Sequence, residues 1–244
     1  MVASNEVHQA MILAAGEGTR LRPLTLKIPK VLLPIGGRPL LEYILSWLRL
    51  QGITEVAINL HHKPEAVIAY FGAGESFGVK ITYSVEDPVL GTAGALSKLR
   101  HYFTETFLVI YGDILTDLNI SPLIKFHREK QAQMTIALHR VTDPCNSGVV
   151  ELDNESRIHR FVEKPFPEEV FTNLANAGIY ILEPEVLNLI PSNTFYDFGF
   201  DLLPSLIDSG MQIYGYPITE YLIDIGTMTS YYQAEVDLQQ RTVE

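Results

Sequence analysis

The feature that most constrains this chain is a short apolar run, residues 10–15, that leads directly into a loop with two glycines, Gly16 and Gly18. An apolar run of that length, bounded by glycine, is typical of a buried strand. Glycine then lets the backbone turn tightly and approach a ligand closely. Four cations follow within eleven residues, namely Arg20, Arg22, Lys27 and Lys30. Backbone N–H groups together with full positive charges favour the binding of a polyphosphate.

Two other phosphate-binding loops do not fit this stretch. The Walker A pattern G-x-x-x-x-G-K-[ST] does not occur here. Leu21 stands where the dinucleotide-binding fingerprint has its third glycine. An ordinary strand-to-helix turn with solvated cations is the alternative, but the placement of Arg20 and Lys30 around the loop favours a phosphate site.

Composition sets the class of protein. The 244 residues are 47% hydrophobic and 19% charged, which suits one large α/β domain or one domain with a small lobe. A net charge of −11 argues against nucleic acid as a partner. Cys145 is the only cysteine, so no internal disulfide is possible and a reducing compartment is expected. The first nine residues lack the apolar core of a secretory signal, and no apolar run is long enough for a membrane helix, so we expect a cytoplasmic protein.

Predicted strands and helices alternate, a pattern typical of a mostly parallel sheet with helices on its faces. The predicted helices are 39–50, 64–71, 93–103, 121–131, 183–190, 201–209 and 227–240. We predict a single domain over residues 1–244, with a first half at about 9–140 and a mixed second half at about 141–244. Helix 39–50 is apolar almost all round, which places it in the core or in the interface of a homo-oligomer.

Two aspartates occur where apolar strands meet glycine. Asp113 follows Gly112 at the carboxyl end of the apolar run 107–111, where ligands bind in open α/β sheets. Asp224 lies inside the apolar stretch 222–225, where an ionised carboxylate is costly unless it is paired or bound to a metal. Because hard divalent cations prefer oxygen ligands, we expect the two aspartates to converge in space. For Asp113, a turn or helix-capping role is the alternative.

Two further segments carry candidate residues. Glu163 and Lys164 end a predicted hairpin, and since neighbouring strand residues point to opposite faces, we predict that they do not pair with each other. A solvated strand end is the alternative. The small residues 91–95 open a helix and would let a flat base lie against backbone groups, although an ordinary loop into a helix would have the same composition.

The loop resembles the signature of the sugar-1-phosphate nucleotidyltransferases, or nucleotide-sugar pyrophosphorylases. That signature reads L-A-x-G-x-G-T-R-L-x-P-L-T followed by P-K, and this chain matches it without a gap over residues 13–25 and again at 29–30. The resemblance implies the nucleotide-diphospho-sugar transferase fold, a Rossmann-like, mostly parallel mixed sheet flanked by helices, with a small sugar-binding lobe. It implies a reaction of NTP with sugar 1-phosphate that yields NDP-sugar and pyrophosphate. The half at about 9–140 would then bind the nucleotide and the half at about 141–244 the sugar phosphate. We expect no left-handed β-helix domain of the kind that many relatives append.

The resemblance also implies roles for individual residues, with Arg20, Lys30, Asp113 and Lys164 as the catalytic set. The implied nucleotide-binding residues are Leu13, Ala14, Ala15, Gly16, Gly18, Thr19, Arg20 and Lys30 at the triphosphate and Gly91, Thr92 and Ala93 at the base. Lys164 is implied on the sugar phosphate and Glu163 on the sugar hydroxyls, while Gly148, Asn176 and Gly178 lie near the sugar. Asp113 and Asp224 are implied to bind one Mg²⁺. Leu222 and Met228 replace the Trp and Pro that often flank the second aspartate in the family.

The stretch L-G-T-A-G at 90–94 resembles the guanylyl branch of the family, so GTP and mannose 1-phosphate are the expected substrates. Glu86 is the candidate acceptor for the guanine donors, or else a surface residue. Heptose 1-phosphate with GTP, and glucose 1-phosphate with UTP, dTTP or CTP, remain open. So does a regulatory homologue that binds nucleotide sugar without catalysis, although the presence of all the implied catalytic and metal-binding residues favours an enzyme.

Overall fold

The structure, a computed structural model, describes residues 7–241. The chain forms two compact units. Unit A comprises His8–Val89, Ile110–Leu118 and residues 220–241. Unit B comprises mainly Leu90–Val109 and Asn119–Thr219.

Strands and helices alternate over most of the described residues. The strands are β1 Gln9–Leu13, β2 Pro34–Ile35, β3 Arg38–Pro39, β4 Glu55–Leu60, β5 Lys80–Val85, β6 Phe107–Tyr111, β7 Ile114–Thr116, β8 Met134–Arg140, β9 Gly148–Leu152, β10 Ile158–Glu163, β11 Leu174–Leu182, β12 Ile213–Pro217 and β13 Leu222–Asp224. The α-helices are α1 Leu24–Lys27, α2 Leu40–Leu50, α3 Pro64–Phe71, α4 Gly91–Ser97, α5 Ile120–Glu129, α6 Leu203–Asp208 and α7 Met228–Arg241. The α/β prediction is confirmed, since parallel strands joined by helices make up much of the chain.

Unit A is built on the parallel strands β1, β4 and β5. Ile12 pairs with Ile58, and Ile58 pairs with Tyr83, so the carboxyl ends of the three strands lie at one edge. Strand β4 is buried from Val56 to Leu60, as its near-continuous apolar sequence predicts for a strand covered on both faces. This arrangement brings the segments that follow β1, β4 and β5 to the same edge.

Helix α2 packs in the core of unit A, which is one of the two positions expected for it, the other being a homo-oligomer interface. Its apolar side chains are buried from Leu40 to Leu48, and the Trp47 indole N–H donates to the Leu118 carbonyl oxygen at 2.8 Å. Beside it, β7 pairs antiparallel with β13. Strand β7 was not predicted, because three residues are too few to show a strand period.

Unit B contains a mixed group of strands. β8 pairs antiparallel with β11 and parallel with β12, while β9 and β10 form the predicted hairpin. Strand β6 is apolar throughout and is divided between the units after Val109. Whether nucleotide binding and sugar binding divide near residue 140 stays a prediction.

Two helix predictions in unit B were wrong in extent. Helix α4 ends at Ser97, because the following residues form tight turns in which Leu99 N–H donates to the Leu96 oxygen and Tyr102 N–H to the Leu99 oxygen. Helix α6 starts at Leu203 and is preceded by a π-helical turn, Phe198–Leu202, whose first N–H groups are capped by the Asp197 side chain. Neither the tight turns after α4 nor the π-helical turn before α6 changes the spacing of apolar residues, so the sequence does not reveal where these helices begin and end.

Candidate functional site

The glycine loop of unit A surrounds a pocket of about 240 Å³ at the carboxyl end of β1. Its walls are Leu13, Ala14, Gly16, Gly18, Thr19, Arg20, Lys30, Val31, Gly112, Asp113 and Gly226. Seven of the predicted triphosphate-binding residues are in this set, whereas the side chain of the eighth, Ala15, is buried. Val31, Gly112 and Gly226 were not predicted as site residues. Val31 and Gly112 adjoin the predicted residues Lys30 and Asp113 in the sequence, whereas Gly226 reaches the loop only through the fold.

Specific backbone contacts hold the loop. Gly18 has a φ of +63°, a conformation that glycine adopts readily, and its carbonyl oxygen accepts the Thr25 hydroxyl at 2.8 Å. At the other end, Leu13 offers its carbonyl oxygen to the Gly112 N–H at 2.8 Å. A methyl group on Gly112 would lie 2.8 Å from that same oxygen, so only glycine allows this close approach.

The four cations of the loop differ in their surroundings, and Lys27 is exposed and outside the pocket wall. The Lys30 ammonium contacts the Asp113 carboxylate, and its side chain is only 11% exposed. Arg20 is exposed at the pocket wall, with its guanidinium lying against Gly226. Arg22 instead pairs with Glu17 at 3.1 Å, and both side chains are about half exposed. Arg20 and Lys30 are therefore the loop cations that the fold presents to the pocket.

The structure brings Asp113 and Asp224 together, as the sequence analysis expected. Asp113 directly precedes β7, in which Ile114 pairs with Asp224, and the Ile225 N–H donates to the Asp113 carbonyl oxygen at 2.8 Å. Burial and the negative charge of Asp113 raise the pKa of Asp224 to about 6, against the opposing charges of Lys30 and Arg20. Asp224 nevertheless remains exposed to solvent. Whether the two carboxylates share one cation stays a prediction.

Glu86 lies in the core of unit A. Its side chain is 1% exposed and accepts a hydrogen bond from Asn59 Nδ2 at 2.9 Å. The Asn59 Oδ1 in turn accepts the Ala14 N–H at 2.8 Å, so a buried relay runs from Glu86 to the glycine loop. Asn59 was not predicted as a site residue, although a lone amide near the end of an otherwise apolar strand was a usable signal. Recognition of a base by Glu86 stays a prediction.

In unit B, Glu163 and Lys164 do pair, contrary to the prediction. Lys164 Nζ lies 3.8 Å from Glu163 Oε1. Strand β10 ends at Glu163, and Lys164 has a φ of +49°, so the alternation of a strand no longer separates the two side chains. A non-glycine residue at positive φ is uncommon and is enriched at functional sites.

Small residues enclose the Glu163 carboxylate. A methyl group on Gly148 would lie 2.5 Å from Glu163 Oε2, and one on Gly199 would overlap the same carboxylate. Burial raises the pKa of Glu163, with Lys164 lowering it and Asp197 raising it further. The predicted residue Gly148 is therefore in contact with Glu163.

The other predicted sugar-binding and base-binding residues also lie in unit B. Asn176 makes internal hydrogen bonds, donating to the Tyr180 hydroxyl at 2.7 Å and accepting the Gly178 N–H at 2.9 Å. Gly91 has a φ of +78°, and Ala93 is buried with its N–H bonded to the Tyr196 oxygen at 3.0 Å. Ligand contacts for these residues stay predictions.

With the fold and pocket defined, comparison with known proteins identifies the class. The chain belongs to the nucleotidyl transferase family, whose model matches residues 9–241. It is 42% identical to a UTP–glucose-1-phosphate uridylyltransferase from Synechocystis sp., over 93% of this chain and 62% of the relative. It is 37% identical to a mannose-1-phosphate guanylyltransferase from Mycobacterium tuberculosis, over 97% of this chain and 66% of the relative.

Solved structures agree on the fold. The crystal structure of HddC from Yersinia pseudotuberculosis complexed with GMP-PN matches with a TM-score of 0.81 and 27% identity, covering 95% of this chain and all of that one. The expected nucleotide-diphospho-sugar transferase fold is thereby confirmed. The chain spans about three fifths of the length of the two curated relatives named above. Within residues 7–241, the helices are too short or too polar to cross a lipid bilayer.

Proposed function

We propose that the chain carries a sugar-1-phosphate nucleotidyltransferase activity, with GTP and mannose 1-phosphate as substrates and GDP-mannose and pyrophosphate as products. A sugar phosphate oxygen forms a bond to the α-phosphorus of the nucleotide as the bond from that phosphorus to the β-phosphate bridge breaks. The observation that carries the proposal is the pocket of unit A, which joins a glycine loop to Arg20, Lys30 and Asp113. The attacking phosphate is already ionised at neutral pH, so the reaction needs alignment and charge neutralisation rather than a general base.

In this proposal, the residues of unit A hold the nucleotide. Backbone N–H groups of the loop and the charges of Arg20 and Lys30 would bind the β- and γ-phosphates and stabilise the leaving pyrophosphate. Lys30 contacts Asp113 in the structure, so the ammonium is already held at the pocket wall before a ligand arrives. Preorganisation of this kind lowers the reorganisation needed when charge develops on the leaving group.

Asp113 and Asp224 fit a magnesium site. The charge of Asp113 is one of the causes that raise the pKa of Asp224, which is the mutual repulsion that a bound cation relieves. Within residues 7–241, no three side chains of the metal-binding types cluster, so the protein would supply two carboxylates. Mg²⁺ is commonly held by one or two carboxylates together with substrate phosphates. When bound, the ion would neutralise phosphate charge.

In this proposal, residues of unit B bind the sugar 1-phosphate. Lys164 is exposed, and its ammonium, 3.8 Å from Glu163 Oε1, suits a sugar phosphate. Glu163 presents a carboxylate, 16% exposed as a side chain, that can accept sugar hydroxyls. The proposed roles thus divide between cations for phosphate and a carboxylate for hydroxyl groups.

The test is pyrophosphate release with Mg²⁺ present, across GTP, UTP, dTTP, CTP and ATP, each paired with mannose 1-phosphate and with glucose 1-phosphate. A pocket that hydrogen-bonds one base edge leaves its own polar groups unpaired with another base. We therefore expect GTP to exceed UTP, dTTP and ATP by at least about tenfold in kcat/KM, the effect of one lost net hydrogen bond. Lys30→Ala serves as the inactive control and Arg22→Ala, outside the pocket wall, as the active one.

A second candidate is UTP with glucose 1-phosphate, which the 42% identity to the Synechocystis relative favours. If kcat/KM is higher for UTP or dTTP than for GTP with either sugar, the guanylyl assignment is wrong and the reaction class stands. If no pair releases pyrophosphate, the activity is wrong, and a regulatory homologue that binds nucleotide sugar becomes the better account.

A further inference from the structure

Asp197 lies at the centre of a dense hydrogen-bond network in unit B. Its Oδ1 accepts the Gly199 N–H at 2.8 Å and the Phe200 N–H at 3.2 Å, and so caps the π-helical turn Phe198–Leu202. Its Oδ2 accepts the Thr92 hydroxyl at 2.7 Å, and the Thr92 oxygen accepts the Phe198 N–H at 2.8 Å. One carboxylate therefore ties the first turn of α4 to the turn before α6.

The π-helical turn also contacts Glu163 closely. Gly199 has no side chain, and any methyl group there would overlap the Glu163 carboxylate, so the turn and the carboxylate are in close contact. Phe200 is 60% exposed, and the Lys164 ammonium lies 5.7 Å from the centre of its ring. The position of the turn thus sets the surroundings of both residues to which we assign sugar-phosphate binding.

The first turn of α4 is fixed to the same segment by backbone bonds. The Tyr196 carbonyl oxygen accepts the Ala93 N–H at 3.0 Å and the Gly94 N–H at 2.8 Å, while the Tyr196 N–H donates to the Leu90 oxygen at 2.9 Å. A methyl group on Gly91 would lie 2.7 Å from the Tyr196 oxygen, so the two segments pack without a gap. Asp197 is the next residue after Tyr196, and its side chain accepts the Thr92 hydroxyl of the first turn of α4.

We propose that Asp197 is a positioning residue that holds the Glu163 carboxylate and the first turn of α4 in one rigid arrangement, so that the site discriminates among sugar 1-phosphates. The inference rests on the proposed function for its substrate. Asp197 has no proposed contact with substrate and acts instead through Glu163 and Thr92.

The electrostatic part of this role can be separated from the mechanical part. The charged groups that act on Glu163 are Lys164, which lowers its pKa, and Asp197, which raises it. Asp197→Asn keeps an oxygen for the Gly199 and Phe200 N–H groups but removes the negative charge. Asp197→Ala removes both the charge and the acceptors.

The kinetic experiment compares these variants with Asp153→Ala. Asp153 also accepts two backbone N–H groups, from Glu155 and Arg157 at 2.8 Å each, but at the opposite end of the β9–β10 hairpin from Glu163. We expect Asp197→Ala to raise the KM for sugar 1-phosphate at least about tenfold, with Asp197→Asn recovering most of this loss and a smaller change in the KM for NTP. Asp153→Ala should lower stability by a comparable amount and leave both KM values unchanged.

A second readout does not need activity. The Glu163 carboxyl carbon is followed by NMR in a chain labelled with ¹³C at the glutamate carboxyls, with Glu163→Gln giving the assignment. We expect the titration midpoint of Glu163 to fall in Asp197→Asn and to stay unchanged in Asp153→Asn.

The outcomes distinguish the two ideas. If the wild-type chain is active but the Asp197 variants keep the wild-type KM values, the positioning role is wrong and the proposed function stands. The positioning role is also wrong if the titration midpoint of Glu163 does not shift in Asp197→Asn. A chain that releases no pyrophosphate with any substrate pair overturns the proposed function and the sugar discrimination with it. In that case the NMR midpoint still decides whether Asp197 controls Glu163.

Discussion

Replacing Asn59 tests the buried relay that supports the glycine loop. Asn59 is 2% exposed, donates to the Glu86 carboxylate at 2.9 Å and accepts the Ala14 N–H at 2.8 Å. Asn59→Ala removes both bonds. A buried hydrogen bond to a charged group contributes about 2 kcal/mol and the part-buried bond to Ala14 about 1 kcal/mol, so the free energy of unfolding should fall by roughly 3 kcal/mol.

The assay is equilibrium unfolding in urea. With a slope of about 2 kcal/mol per molar urea, a loss of roughly 3 kcal/mol lowers the midpoint by about 1.5 M. If the loop holds nucleotide as proposed, the affinity for NTP in the absence of urea should also fall, because the Ala14 backbone loses its anchor. Asn173→Ala, at an exposed amide that accepts from Arg140 at 2.6 Å, is the matched surface control and should cost less than about 1 kcal/mol.

A charge-swapping pair makes the test sharper. Asn59→Asp alone places a second carboxylate against Glu86 and removes the donor, so it should destabilise at least as much as Asn59→Ala. Glu86→Gln alone keeps an acceptor for Asn59 and should cost about 1 kcal/mol. In the double variant the new glutamine amide can donate to the new aspartate, so its stability should return to within about 1 kcal/mol of wild type. Additive losses in the double variant would refute the relay.

Three further predictions follow from the site and its surroundings. Gly112→Ala should lower the urea midpoint and weaken NTP binding, because the added methyl group would lie 2.8 Å from the last carbonyl oxygen of β1. Gly16 has open space around it, so the control Gly16→Ala should leave the midpoint unchanged. Lys164→Ala should lower kcat/KM for sugar 1-phosphate roughly 10- to 100-fold and change the KM for NTP much less. The control is Lys125→Ala, at a helix lysine whose side chain is 74% exposed, and it should have no effect. Equal kinetics in the two variants would contradict a role for Lys164 in binding the sugar phosphate. Burial lowers the pKa of His139 below 6.5, so as pH falls from about 7 towards 5 the unfolded chain binds the proton more readily and stability decreases. His139→Gln should remove that part of the pH dependence of the urea midpoint, and an identical pH dependence in the variant would contradict the burial effect.

Much of the fold followed from the sequence because its signals are local. Strand β6 and helix α3 have the predicted bounds, 107–111 and 64–71, since each is a compact apolar run that ends at glycine. The glycine loop was predicted as a phosphate site from its spacing of glycine and cations alone, and the structure forms a pocket around it. Backbone conformation in such segments depends mainly on neighbouring residues, so the sequence carries the information directly.

Relationships between distant segments were decided by the tertiary structure. The sequence suggested that Asp113 and Asp224 converge, but only the pairing of β7 with β13 shows how, through residues too few to predict as a strand. The Glu163–Lys164 contact reversed the prediction, because a positive φ at one residue ended the alternation of the strand. The roles of Asn59 and Asp197 arise from hydrogen bonds to residues 45 and 105 positions away along the chain. Such contacts form only when packing brings the partners together, so a local pattern can mark Asn59 as unusual but cannot specify its partners.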